Sequence, residues 1–354
     1  MLAPEVDRPR SATALRVREM AEPDAPAWDA WVTAHPHGTF FHLSGWRTVI
    51  REALGHRVHY LLAERDGALE GVLPLAETRS LLFGHALIST PMCVYGGVIA
   101  ANAEAAAALH AAARQRAQDL GVDHLELRNR EVANPEWPRK PLYVRFRKQL
   151  QAEPEKNLQA IPRKQRAMVR KGISAGLTAE LDASATRLYA LYCESVRNLG
   201  TPVFSRSVLD GLLKVFANQT EIRTIIHKGI AVASVMSFYF RDEVLPYYGG
   251  GSLAARGCAA NDFMYWSLME HAATRGVRLF DFGRSKVGSG SYRFKTHWGF
   301  EPQELQYEYF LVRSTKVPET DPTNPKYRLP ILVWRRLPIG LTRLIGPPIA
   351  RHLL

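Results

Sequence analysis

The apolar positions change period along the chain, and the changes mark out its elements. Over 25–34 they fall at helical spacing, with Trp28 and Trp31 three apart, and 39–46 leads into a second helix ending near Gly55. From Val58 the period shortens to that of strands. Residues 58–64 and 69–76 flank Arg65-Asp66-Gly67, an Asp-Gly turn that joins them as a hairpin. A strand is expected near 94–98, then an Ala-rich helix over 103–121 capped by Asn102 and stopped by Gly121, then a strand over 122–128. The first strand is expected around 15–17. Residues 1–14, rich in Pro, charge and small side chains, read as a disordered tail.

The same order recurs downstream. A hairpin of 222–227 and 231–239 turns at Lys228-Gly229, and a strand at 244–249, a helix at 261–276 and a strand at 277–282 follow. Gly121-Val122-Asp123-His124-Leu125-Glu126-Leu127 overlays Gly276-Val277-Arg278-Leu279-Phe280-Asp281-Phe282 without a gap, 155 residues apart. Tyr95-Gly96-Gly97 and Tyr248-Gly249-Gly250 fall at a similar offset. Shared order, spacing and local residues predict two copies of one α/β (α+β) domain, each a mixed central sheet flanked by helices. The expected boundaries are 15–155 for the first and 156–313 for the second, with a Pro-rich linker and basic tail over 314–354. Helices are also expected over 180–198 and 205–216.

Charge adds the first functional constraint. The 354 residues carry a net charge of +12, which suits either a solubilising surface or polyanionic company such as RNA, a nucleotide carrier, a phosphorylated sugar or an anionic membrane. Part of it lies between the copies, where 161–172 holds five cations and no acid; Arg163, Arg166 and Arg170 share one face of a helix opened by Pro162. In the tail, Trp334, Leu337, Leu341, Leu344 and Ile345 alternate with Arg335, Arg336, Arg343 and Arg351, and Pro338, Pro347 and Pro348 break any long helix. This segment either docks on the body of the protein or lies on a membrane surface.

Other features narrow the chemistry by what they lack. Cys93, Cys193 and Cys258 have no metal-ligand spacing and read as reduced cytoplasmic thiols; the N-terminus has acids and prolines where a signal peptide needs an apolar run. There is no Walker loop, no Gly-x-Gly-x-x-Gly opening a helix, no Gly-x-Ser-x-Gly and no histidine pair at metal spacing. Metal and covalent-nucleophile catalysis are therefore not expected. The densest group of polar side chains is 279–302, where a strand ends in Asp281-Phe282-Gly283-Arg284 and a Gly/Ser loop precedes Phe294 and Lys295. Arg284, Ser285, Lys286, Ser289, Ser291, Arg293 and Lys295 supply cations and donors, with Asp281 the nearest acid. Such a set suits group transfer by orientation and stabilisation of developing negative charge. Arg206, at a helix start, is placed either to hold an anionic ligand or as an ordinary surface arginine.

The pairing of Phe-Asp-Phe-Gly-Arg-Ser with Phe-Lys-x-x-Trp-Gly-Phe-x-Pro resembles the C-terminal motif of the FemAB-like branch of the GNAT superfamily. Residues 161–172 and the following Leu-Tyr-x-x-Tyr-Cys-Glu-Ser-Val-Arg-Asn-Leu-Gly-Thr-Pro look like that family's inter-domain region, and the likeness covers roughly 15–312. The Trp-Arg-Arg-Leu-Pro tail resembles members associated with PEP-CTERM/exosortase exopolysaccharide systems.

The resemblance implies two tandem GNAT-like N-acyltransferase domains and transfer of an acyl or aminoacyl group to an amine of a phosphate-bearing cell-envelope, peptidoglycan or exopolysaccharide precursor. Acyl-CoA or aminoacyl-tRNA would be the donor, with no tightly bound cofactor and no metal. The residues themselves predict a cytoplasmic protein, with the tail either docked on the body or in peripheral contact with the inner face of the membrane. Lys295 matches the family's Phe-Lys and would stabilise the oxyanion or leaving group, with Phe294 fixing its direction and Asp281 and Arg284 beside it. Arg206, Tyr247 and Tyr248, with Ser285 and Arg293, would bind the acceptor; Arg256, Gly257, Asn261, Arg163, Arg166 and Arg170 would bind the donor. Asp210 departs from the pattern, standing where the family has a tyrosine. Replacing Lys295 by Ala is expected to remove most activity and leave stability nearly intact. The competing expectation is a non-catalytic RNA- or membrane-associated assembly factor that retains the fold.

Overall fold

The computed structural model describes residues 14–80, 83–318 and 325–353; of the tail expected over 1–14, all but Ala14 lies outside them. The first half runs β1 (Arg16–Glu19), α1 (Ala25–Ala34), α2 (Gly45–Ala53), β2 (Arg57–Val58), β3 (Leu61–Arg65), β4 (Ala68–Leu73), β5 (Leu75–Ser80), β6 (Gly84–Ser89), β7 (Ile99–Ala100), α3 (Ala103–Asp119), β8 (His124–Asn129) and β9 (Tyr143–Gln149). Then come α4 (Pro154–Ala160), α5 (Arg163–Ser174), β10 (Thr178–Asp182), α6 (Thr186–Leu199), α7 (Arg206–Val215), β11 (Thr220–His227), β12 (Ile230–Phe240), β13 (Glu243–Gly251), α8 (Ala254–Gly257) and α9 (Ala260–Thr274). The chain closes with β14 (Leu279–Lys286), α10 (Gly290–His297), β15 (Pro302–Glu304), β16 (Gln306–Leu311), α11 (Pro325–Arg336) and α12 (Ile339–Ala350).

The repeat is visible in the topology. β11, β12 and β13 form an antiparallel meander, α9 crosses over, and β14 lies parallel to β13. In the first half β3 and β4, then β5 and β6, are antiparallel pairs, α3 crosses over, and β8 lies parallel to β6. Pro74 separates β4 from β5, so the long strand of the second copy is broken in the first, and its parts fall in a four-stranded sheet β1-β3-β4-β7 and a five-stranded sheet β16-β8-β6-β5-β2. Parallel pairs need a long crossover, which α3 and α9 supply. α3 starts where Asn102 accepts a hydrogen bond from the Ala105 N–H at 2.8 Å.

Two features depart from the sequence reading. Residues 94–98 form a loop between β6 and β7 rather than a strand, and 178–182 pairs with β11 as β10, so the helix expected from 180 begins at Thr186. More consequential is an exchange of strands across residue 155. β9 belongs to the seven-stranded sheet of the second half, ordered β10-β11-β12-β13-β14-β9-β15, and β16 returns to pair with β8 in the first. β9 alternates Val144 and Phe146, buried, with Arg145 and Arg147, half-buried, a period-two pattern fit for a strand lying between two others.

One apolar cluster spans both halves. Trp28, Phe40, Phe41 and Trp46 from the first meet Phe216, Phe238 and Tyr248 from the second, with Phe40 stacked on Phe238 at 4.5 Å between ring centroids. Phe238→Ala should therefore lower stability by about 3–5 kcal/mol. Denaturant titration should show one shifted transition shared by both halves; two separate transitions would mean that the cluster does not couple them.

Candidate active site

β14 carries the site because its pairing is interrupted. Asp281 faces Arg147 of β9 and Arg284 faces Arg145, so three steps along β14 match two along β9 and one residue bulges out. Gly283 takes the positive φ of 68° that this bulge requires. The Asp281 carboxylate beneath it is fully buried; it accepts from the Gly283 N–H at 2.8 Å and the Tyr95 hydroxyl at 3.2 Å, and is ion-paired with the Arg147 guanidinium, whose Nε lies 3.3 Å away. Arg147 also pairs with Glu243.

The bulge withdraws carbonyls from the sheet, and Lys295 reaches them. Ser289 caps α10 by accepting from the Tyr292 N–H at 3.1 Å, and further along the same helix the Lys295 amine donates to the carbonyls of Gly283 at 3.3 Å and Arg284 at 3.0 Å. It lies 5.5 Å from the ring centres of Phe146 and Phe282 and is only 8% exposed. Burial pulls its pKa down to about 7; nearby Asp281 resists this and Arg284 adds to it. Phe294 packs among Tyr265, Phe282 and Trp298, so α10 is held by its aromatic side. Arg284 lies against the Tyr143 ring at 4.8 Å and donates to the Tyr307 hydroxyl at 3.2 Å.

Beyond Val244 and Phe280 the pairing of β13 with β14 ends, and backbone carbonyls of the first half are hydrogen-bonded there by tyrosines of the second. The Tyr247 hydroxyl donates to the Met92 carbonyl at 2.6 Å and that of Tyr307 to the Val94 carbonyl at 2.8 Å. Two buried hydroxyls close by, Tyr248 Oη on β13 and Ser285 Oγ on β14, have no hydrogen-bond partner. Buried polar groups are normally satisfied, so these two are candidates to meet a ligand.

The remaining expected residues divide into two places. Trp298 Nε1 donates to Asp262 Oδ1 at 3.1 Å, and Gln165 of α5 donates to the same oxygen, tying α5 and the end of α10 to the first turn of α9. α5 packs through Gln165, Val169 and Gly172, which leaves Arg163 and Arg170 exposed and Arg166 half-buried, donating to the Gln159 carbonyl at 2.8 Å. Arg256 and Gly257 end α8, immediately before α9, and Asn261 lies in the first turn of α9. The residues expected to bind the donor thus lie on α5, at the end of α8 and in the first turn of α9, and Gln165 joins α5 to that turn. Arg206 is elsewhere: at the start of α7 it pairs with Asp210 at 3.2 Å and donates to Thr186 at 3.0 Å, and none of these contacts reaches β14. Arg293 is exposed and donates to the Gly288 carbonyl at 2.8 Å.

Tyr95 and Arg147 were missed as partners of Asp281, although the alternation in Tyr143-Val144-Arg145-Phe146-Arg147 is a legible strand signal. Also missed was a cavity of about 270 Å³ in the first half, between β7 and β8, lined by His35, Gly97, His110, Arg128 and Arg130. There Arg128 is committed to Glu126 at 2.8 Å, and Arg130 lies over the Tyr95 ring at 5.4 Å.

Residues 155–296 match the family described as Acetyltransferase (GNAT) domain. Among solved structures, FemX superposes with a TM-score of 0.64 at 13% identity, covering 84% of this chain and 98% of that one. A tandem GNAT protein from the clavulanic acid biosynthesis pathway gives 0.54 at 12%, covering 86% and 100%. The C-terminal domain of a putative lysylphosphatidylglycerol synthetase from Agrobacterium fabrum gives 0.53 at 13%, covering 82% and 92%. No curated protein sequence matches. The fold is a pair of GNAT-like domains.

The geometry corrects one expectation: Lys295→Ala cannot spare stability, because it leaves two carbonyls without their donor at about 1–3 kcal/mol each. It also fixes a pH dependence. With a folded pKa of about 7 against an ordinary 10.5, the unfolded chain holds the Lys295 proton in a window where the folded protein has lost it. This contribution makes unfolding free energy rise with pH across that window. Denaturant titrations at pH 7 and pH 9 should show the rise in the wild type and a smaller one in Lys295→Met; equal slopes would refute the buried, depressed amine.

Proposed function

We propose that the chain is an N-acyltransferase of FemAB type, acting on an amine of a phosphate-bearing envelope or exopolysaccharide precursor. The observation that carries this reading is Lys295, a buried amine with a pKa of about 7 at a strand bulge, beside a buried carboxylate and within the segment matched to an acetyltransferase domain. Groups that titrate near neutrality give and take protons efficiently.

The acceptor amine attacks the donor carbonyl, so that a C–N bond forms and the bond to the CoA sulfur or the tRNA ribose oxygen breaks. The proton lost by the amine ends on that leaving atom. Lys295 in its charged form stabilises the oxyanion and then the leaving group; Phe294 and the two carbonyls hold its direction. Asp281 keeps the bulge and the amine in register. The donor, acyl-CoA or aminoacyl-tRNA, carries phosphates for the first turn of α9, flanked by Arg256 and the exposed cations of α5. Tyr248 and Ser285 offer their unpartnered hydroxyls to the acceptor.

Calorimetric titration with acetyl-CoA and with mixed aminoacyl-tRNA should give saturable binding to one of them, weakened in Arg163→Ala/Arg170→Ala. Lys295→Met should keep that binding and lose turnover by about 10²–10³-fold, the scale of one oxyanion donor. A folded Lys295→Met protein with full turnover would sink the assignment, as would a donor that does not saturate.

A further inference from the structure

The last two helices dock on the body and still carry large apolar side chains on their outer faces. α12 packs on the body through Thr342, Gly346 and Ala350, a buried stripe of small residues at helical spacing. A Cβ built on Gly346 would lie 3.0 Å from the Val203 N–H, so the helix backbone comes close and needs no large apolar side chain to dock. α11 is anchored by polar contacts to the end of α6: Arg335 donates to the Leu199 carbonyl at 3.2 Å and Arg197 to the Arg335 carbonyl at 3.2 Å. α11 also turns Ile331 and Trp334, half-buried like Leu337 just after it, toward the body, with Ile331 close against Gly200, yet both helices still leave large apolar side chains facing out. Leu344 is 74% exposed and Leu329 70%, and Leu332, Val333 and Leu341 are exposed as well.

Apolar exposure on this scale marks a surface that something covers. The charge around it indicates what. Residues 325–353 contain Lys326, Arg328, Arg335, Arg336, Arg343 and Arg351 and no acidic residue. A protein partner would need an acidic apolar groove, whereas an anionic bilayer offers both features in one plane: phosphate for the arginines, and acyl chains a few ångströms below for the leucines. No helix among the described residues is long and apolar enough to cross a membrane, and Pro338 separates two twelve-residue helices, too short to span but well suited to lying flat.

We propose that α11 and α12 form an interfacial anchor that adsorbs the protein onto anionic phospholipid. Each contribution alone is marginal, but a few buried leucines and several arginines near the surface suffice together for reversible attachment.

The test is co-sedimentation of the full chain with phosphatidylcholine vesicles and with phosphatidylcholine vesicles containing phosphatidylglycerol. The wild type should partition at least tenfold more strongly to the anionic vesicles, less so as salt rises. Leu329→Asn/Leu344→Asn and, independently, Arg328→Glu/Arg336→Glu should each lose most of this binding while keeping the wild-type melting temperature, since these side chains are exposed. Wild-type binding that is absent, indifferent to lipid charge, or unchanged in both variants overturns the proposal. So does a dimer in sedimentation equilibrium that the leucine variant dissociates, because the patch is then covered by a second copy.

Discussion

Everything around the site depends on satisfying one buried carboxylate. Asp281 has no access to water, so its negative charge must be met by protein, and its partners come from three stretches of chain: the Gly283 N–H of its own bulge and Tyr95 from a loop of the first half as donors, and Arg147 from β9 as an ion pair. The same bulge frees the carbonyls that hold Lys295. The amine and the carboxylate therefore have positions fixed by a single irregularity, and that irregularity is stable only when both halves are in place. The first half thus contributes structure to a site whose chemical residues lie in the second.

A second point of convergence lies at Asp262. By accepting from Trp298 and Gln165 it joins the motif that carries Lys295 to the helix that carries the exposed cations. A ligand held by phosphates at the start of α9 is thereby placed in a fixed relation to α10, which is what orientation in a two-substrate transfer requires.

The local parts of this architecture were legible in the sequence. Asn102, Pro162 and the Asp66-Gly67 turn announce their elements through short-range chemistry, and the gapless overlay at Gly121 and Gly276 revealed the duplication, because copies retain the residues that end helices and start strands. What could not be read was long-range pairing. Nothing within 143–149 or 306–311 says which sheet it will join, since a strand's partner is set by packing far away in sequence. For the same reason Tyr95 was assigned to a strand of the first copy when it serves Asp281, and Tyr247 was read as a substrate ligand although its hydroxyl is committed to Met92. Arg206 illustrates a nearer oversight. The departure at Asp210 was noted, but four residues apart on a helix the two charges neutralise each other, which removes the free cation.

The exchange of β9 and β16 also constrains how the chain is made. On the ribosome β8 is complete long before residues 306–311 exist, so during most of translation it is a bare sheet edge, the kind of surface that pairs indiscriminately. β9 emerges before β14 and β15, between which it will finally lie, and must wait without its own sheet beside a first half that still lacks β16. Neither half can close on its own as it leaves the exit tunnel; the first sheet gains its last strand only after the second has been built. Vectorial synthesis, which lets most duplicated domains fold one after the other, here ends in a single late closure that completes both.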